Sequence, residues 1–193
     1  QKSIVKRVLK DLNLDDKLYP PNAMHAIISN AKNQLTSADN FSARTYREEV
    51  AKRIYEHYES TLRSSNAVDF DDLLLWTVKL FEEHPDIRKR YGQRFEHVLI
   101  DEFQDTNQAQ YHLVKHLSSH HHSLFAVGDE DQSIYRWRGA DYQNIIRFEK
   151  EYPKTSKLLL ERNYRSTQNI LDAAQAVINQ NTARTPKKLF SKR

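Results

Sequence analysis

A chain of 193 residues, 38% hydrophobic and 29% charged, holds one ordinary globular domain or two small ones. With no cysteine, no apolar run near membrane-span length and no charged-then-apolar opening segment, it excludes disulfides and thiolate metal sites, and fits a reducing, cytoplasmic setting with no membrane partner. The net charge of +4 is a weak pointer to nucleic acid: Arg184, Lys187, Lys188, Lys192 and Arg193 give the last ten residues +5, and taking that from +4 leaves −1 for the rest.

Residues 1–93 read as all-helical. Ile4, Val5, Val8, Leu9 and Leu12 have helical spacing. Pro20-Pro21 interrupts, and a second helix over Ala23 to Leu35 carries Ile27, Ile28 and Ala31 on one face. A long helix is expected from Ser42 to Leu62, striped by Val50, Ile54, Tyr55 and Tyr58, and Ser64-Ser65-Asn66 is a loop. Asp69 is placed to cap a helix running through Leu73, Leu74, Trp76, Val78, Leu80 and Phe81, and Pro85 opens a short helix through Ile87 to Tyr91.

After Gly92 the rhythm changes. Val98-Leu99-Ile100, Leu124-Phe125-Ala126-Val127 and Leu158-Leu159-Leu160 are short apolar runs, separated by helical patterns over Gln108 to Leu117 and Asp141 to Tyr152. That alternation predicts three parallel strands in an α/β sheet buried on both faces. A last helix, Thr167 to Asn179, is expected to be capped by Ser166. Gln1 is not an initiator methionine, and Ser191-Lys192-Arg193 carries no stop signal, so the chain reads as a piece excised from a longer protein.

The strongest chemical signal is Asp101-Glu102 directly after Val98-Leu99-Ile100. In open α/β sheets ligands bind at the carboxyl ends of strands. One carboxylate there suits a nucleotide-bound magnesium, which keeps several waters, and its neighbour suits activation of an attacking water. A turn started by two acids explains those five residues equally well.

The longer stretches narrow the choice. Asp101-Glu102-Phe103-Gln104-Asp105-Thr106-Asn107 is similar to motif II of the UvrD/PcrA/Rep family of superfamily 1A DNA helicases. Gly128-Asp129-Glu130-Asp131-Gln132-Ser133-Ile134-Tyr135-Arg136-Trp137-Arg138-Gly139-Ala140-Asp141 resembles its motif III, and Leu160-Glu161-Arg162-Asn163-Tyr164-Arg165-Ser166 its motif IV. The resemblance is firm over about residues 66–180, and Val68-Asp69-Phe70-Asp71-Asp72-Leu73-Leu74 anchors a looser likeness of the first half to the family's inserted helical domain 1B.

The resemblance implies an α/β architecture, part of a RecA-like P-loop NTPase motor with an all-helical insertion. Residues 1–93 would be domain 1B, 94–160 the carboxyl half of motor domain 1A, and 161–193 motif IV with the start of motor domain 2A. It implies ATP and Mg2+ as cofactors, single-stranded and duplex DNA as partners, and 3′ to 5′ translocation coupled to unwinding, in repair or replication. By position, Asp101 would hold magnesium, Glu102 would be the catalytic base, Gln132 would sense the γ-phosphate, Arg165 would be an arginine finger and Tyr164 would stack on adenine. Tyr135, Trp137 and Phe70 would contact bases, and Arg138 would link phosphate to DNA. Gln132 and Trp137 stand five residues apart, so one segment can touch both ligands, and stacking on a ring is indifferent to base identity.

Plainer roles stand beside these. Tyr135 and Trp137 could be core aromatics, although Arg136 and Arg138 flank them; Phe70 could be a hydrophobic anchor and Arg165 a surface ion-pair partner. Gln104 and Asp105 could simply shape a turn and cap the next helix, and Asp129 could steady the turn at Gly128. His120-His121-His122 reads as a solvated loop, not a metal site, and the basic tail as solvated surface. Arg162 departs from the family, whose members often carry Gln there, which alters contacts around motif IV.

The three glycines, Gly92, Gly128 and Gly139, cannot build the Gly-x-x-x-x-Gly-Lys-Ser/Thr cradle of such a motor, so the isolated chain is expected not to hydrolyse ATP. An incomplete sheet would also expose an edge and favour self-association. Two other classes stand as alternatives. One is a non-catalytic DNA-binding or partner-docking module; the other is the motor of an AddA/RecB-type helicase-nuclease.

Overall fold

The computed structural model describes residues 1–181 and 185–193, with every side chain among them except that of Arg138. The helical half forms as its periodicity predicts. Helix α1 (Lys2–Asp11) buries Val5, Val8 and Leu9. Helix α2 (Pro21–Asn33) begins on Pro21 at its first turn, where a missing N–H is harmless. Helix α3 (Tyr46–Ser64) starts later than Ser42 because its start is set by a capping box. The Glu48 N–H donates to Thr45 Oγ1 at 3.3 Å and the Thr45 N–H to Glu48 Oε2 at 3.0 Å. Helices α4 (Phe70–Glu83) and α5 (Pro85–Arg94) follow, the first capped by Asp69 as expected and the second opened by Pro85.

Helices α1, α2 and α3 enclose the main core, which includes Val5, Val8, Leu9, Met24, Ile28, Val50, Ile54, Tyr55, Tyr58 and Leu62. Each such aliphatic side chain removed from water stabilises the fold by about 1.5–3 kcal/mol. Against this core lies a fully buried cation. The Lys32 ammonium sits 2.6 Å from Glu59 Oε1, 2.8 Å from Asp69 Oδ2 and 2.7 Å from Asp72 Oδ1. Burial alone would lower its pKa, but the three carboxylates outweigh burial and the pKa is raised.

The second half holds strand β1 (Val98–Ile100), helix α6 (Gln108–Leu117), strand β2 (Leu124–Ala126), helix α7 (Gln143–Glu151) and helix α8 (Gln168–Ile178). The strands pair in parallel, Val98 with Leu124, Leu99 with Phe125 and Ile100 with Ala126. Phe103, Tyr111 and Phe148 make a smaller core under one face, with Ile100, Leu124 and Ala126 packed on it.

Three expectations are corrected. Among the described residues the sheet has two strands: Leu158-Leu159-Leu160 forms no strand, and all three leucines are exposed. The sheet is not buried on both faces, since Leu99 remains 72% and Phe125 59% exposed. An apolar run reports a tendency to be covered, and among the described residues no second layer covers the Leu99 and Phe125 face. Helix α8 is capped by Thr167 rather than Ser166, without a side-chain bond, because Asn163 Oδ1 already accepts from the Arg165 and Ser166 N–H groups and holds the preceding turn. No helix among the described residues is long and apolar enough to cross a membrane.

Candidate functional site

The site grows from the carboxyl ends of the two strands. The Val127 N–H donates to Ile100 O at 2.8 Å and the Phe103 N–H to Val127 O at 2.9 Å, so the ladder carries both chains just past their strands. Asp101 emerges there, and its Oδ1 accepts the Glu102 N–H at 2.9 Å. Glu102 is left-handed, with φ 50° and ψ 44°. A non-glycine residue held there costs roughly 1–2 kcal/mol, so neighbouring contacts must enforce it.

Gln104 supplies one of those contacts. It is 1% exposed, and its Nε2 donates to Glu102 Oε2 at 2.8 Å while its Oε1 accepts the Asp129 N–H at 2.9 Å. Gly128 makes that approach possible: a Cβ there would lie 2.8 Å from Gln104 Oε1. Asp129 Oδ2 in turn accepts Gln132 Nε2 at 2.9 Å, and Asp129 Oδ1 accepts the Asp131 N–H at 3.0 Å. A continuous hydrogen-bonded line therefore runs Glu102–Gln104–Asp129–Gln132. The role of turn shaping alone is too small for Gln104, which ties the two acidic segments together. The helix that follows is capped by Asn107 in a box with Gln110, not by Gln104 or Asp105.

Lys187 also reaches this group, contacting Asp129 Oδ1 and lying 2.9 Å from Asp131 Oδ2. Burial pushes the Asp129 pKa up, but Lys187, Gln132 and the Asp131 N–H more than offset it, and the carboxyl is held below its usual range. The tail is thus not plain solvated surface. Phe190 pairs in parallel beside Arg162, its O accepting the Asn163 N–H at 2.8 Å.

The aromatic candidates lie outward. Trp137 is 75% exposed, and its ring centroid is 6.4 Å from that of half-buried Tyr135. Phe70, the first residue of α4, is 81% exposed and so anchors neither core of the described residues. Tyr164 is exposed, with the Arg162 guanidinium 4.6 Å over its ring, so the departure at Arg162 has a local consequence: a cation covers a face of that ring. Arg165 is exposed, its O accepting from Arg193 Nη1 at 2.9 Å, whereas Lys187 meets the motif III acids Asp129 and Asp131. The Arg138 side chain lies outside the described residues.

Among the described residues no three His, Cys, Asp or Glu side chains converge as a metal cage. Asp101, exposed at a strand end, fits a magnesium that arrives with phosphates and waters and needs one protein carboxylate. The residues that spacing did not reveal are Gln104, Lys187 and Lys32. Lys32 had a faint signal, standing four positions after Ile28 beside the apolar face of α2. Lys187 had none, since it meets Asp129 across 58 positions.

Comparison with known proteins agrees with this geometry. Residues 1–153 match the UvrD/REP helicase N-terminal domain. The chain is 49% identical over 99% of its length to a protein named ATP-dependent DNA helicase PcrA from Leuconostoc citreum, covering 26% of that protein. It is 48% identical over 99% of its length to proteins of the same name from Bacillus subtilis and Staphylococcus aureus, again covering 26% of each. The chain thus spans about a quarter of the length of these relatives. With a domain match over most of its length and its acidic strand ends wired together as described, the chain belongs to the UvrD/REP helicase family.

Proposed function

We propose that this chain supplies the magnesium and γ-phosphate end of the nucleotide site, with part of the single-strand path, in an ATP-dependent DNA helicase. The observation that carries this is the line Glu102–Gln104–Asp129–Gln132, whose last member lies five residues before the exposed Trp137. Asp101 would hold the nucleotide's magnesium, which when bound would offset phosphate charge. Glu102, oriented through Oε2 by Gln104, takes the proton from the attacking water. Gln132, steadied by Asp129, meets the γ-phosphate. Arg165 stabilises charge on the transferring group and Tyr164 stacks on adenine. Phe70, Tyr135 and Trp137 stack on bases, and Arg138 links the two ligands. A small movement of Gln132 with the phosphate then shifts the Tyr135–Trp137 segment along the strand. Translocation runs 3′ to 5′, and the work is cytoplasmic DNA repair or replication.

With no glycine-rich phosphate cradle in its sequence, the 193-residue chain alone is silent as an ATPase. The test compares the chain with the full-length protein, each with and without Glu102→Gln, in a DNA-stimulated ATPase assay. The expected result is an active full-length protein that loses about 10²–10⁴-fold on Glu102→Gln, beside an inactive chain. A chain that hydrolyses ATP and stops on Glu102→Gln overturns this account of the phosphate site.

A further inference from the structure

The last turn of α2 faces two ways. On one side Lys32 grips the start of α4. Asp69 Oδ1 accepts the Asp72 N–H at 2.8 Å and so caps that helix, while Asp69 Oδ2 takes Lys32 Nζ at 2.8 Å and the Tyr58 hydroxyl at 2.9 Å. Asp72 completes the box by accepting the Asp69 N–H at 3.0 Å and is itself 2.7 Å from Lys32. Phe70 follows this fully committed carboxylate by one residue, exposed and on a rigid base.

On the other side Asn33, also buried, accepts Asn107 Nδ2 at 2.7 Å. Asn107 caps α6 through its Oδ1, which accepts the Gln110 N–H at 2.8 Å, so both ends of its amide are used. Asn144 Nδ2 donates to Thr106 O at 3.0 Å and Asn107 O at 3.3 Å, and the Asp141 N–H donates to Thr106 O at 2.9 Å. Gly139, left-handed at φ 89° two residues after Trp137, lies against Asn33, where a Cβ would stand 3.4 Å from Asn33 Nδ2. The same turn therefore holds the residue before Phe70 and the segment just after Trp137.

Apolar residues of similar volume often replace a buried ion cluster without loss, whereas directed polar contacts fix one register. We infer that Lys32 and Asn33 form a positioning joint that sets Phe70 and the Gln132–Gly139 segment at a fixed spacing along single-stranded DNA, so that movement at the phosphate is delivered to the strand. The inference rests on the proposed helicase function. Contiguity by itself carries no coupling energy, so the coupling has to be measured.

The experiment uses the full-length protein and an oligo-thymidine strand, reading the ratio of DNA-stimulated to DNA-free ATPase rates. Asn33→Ala removes the acceptor for Asn107 and is expected to lower the ratio on the order of fivefold or more, the lower end of inter-site coupling. The DNA-free rate stays close to wild type, with a modest fall in melting temperature from the Asn107 amide left without its acceptor. Asn33→Asp, which keeps the acceptor, retains the ratio. Asn107→Ser keeps a capping oxygen for α6 but loses the donor, and reproduces the defect independently of how well Asn33→Ala folds. Combined with Phe70→Ala, Asn33→Ala adds little further loss, because without the Phe70 ring the spacing between the two DNA contacts no longer matters. A folded Asn33→Ala or Asn107→Ser with the wild-type ratio overturns the joint, as does a loss fully additive with Phe70→Ala. A wild-type protein whose ATPase ignores DNA overturns the helicase function itself, an outcome separate from either.

Discussion

Gly128 shows how little room the site leaves. A methyl group there would meet Gln104 Oε1 at 2.8 Å, and Gln104 N and Phe103 Cβ at 3.3 Å. Gly128→Ala is therefore expected to push Gln104 off the Asp129 N–H, costing about 0.5–1.5 kcal/mol, the net worth of that hydrogen bond. Urea denaturation reads the cost, and DNA-stimulated ATPase of the full-length protein should fall with it. An unchanged midpoint and rate would mean Gln104 is not held where it is described. The role of Gln104 was hard to see in the sequence because a glutamine between acids looks like a turn residue. Only the parallel register of the strands shows that its amide meets Asp129, 25 positions away.

Helices were legible where one face repeats apolar side chains, and the cap of α4 was legible because Asp69 precedes its first turn. The expected third strand at Leu158 was not, because pairing depends on neighbours that an apolar run does not specify. Helix α6 carries a prediction of its own. His112 and His116, four residues apart and turned inward, both have pKa values below 6.5, chiefly through burial. Glu82 acts the other way and Lys115 reinforces the drop at both; Glu151 and Arg147 also bear on His112, and Arg88 on His116. A histidine depressed in the fold contributes stability that is complete above its unfolded pKa and is lost as pH falls through the folded one. The urea midpoint should drop between about pH 7 and about pH 5, and His112→Gln with His116→Gln should flatten that dependence. A slope unchanged by both substitutions would place the titration elsewhere.

At the scale of the molecule, the two halves differ in how well they close. The helical half holds the larger core, while the sheet leaves Leu99 and Phe125 uncovered and the unpaired Leu158 and Leu160 are exposed. The 193-residue chain is therefore expected to self-associate, since bare apolar strands are templates for pairing. Light scattering over a concentration series should show mass above the monomer, reduced by Leu99→Lys with Phe125→Lys. Monomer alone at high concentration would count against it. The motifs of the site were visible in the sequence as ordered strings of residues. Their wiring was not, because Lys187 and Asn33 reach their partners across 58 and 74 positions.

The enclosed ammonium of Lys32 has a practical corollary. An amine reactive toward acylating reagents must be both reachable and unprotonated, and Lys32 is 0% exposed and holds its proton more tightly than a free lysine. Surface amines such as Lys2 and Lys6 will acylate at once, whereas Lys32 will acylate only during the moments when the helical core opens. Followed peptide by peptide in a mass spectrometer, its modification rate is a built-in stopwatch for that opening.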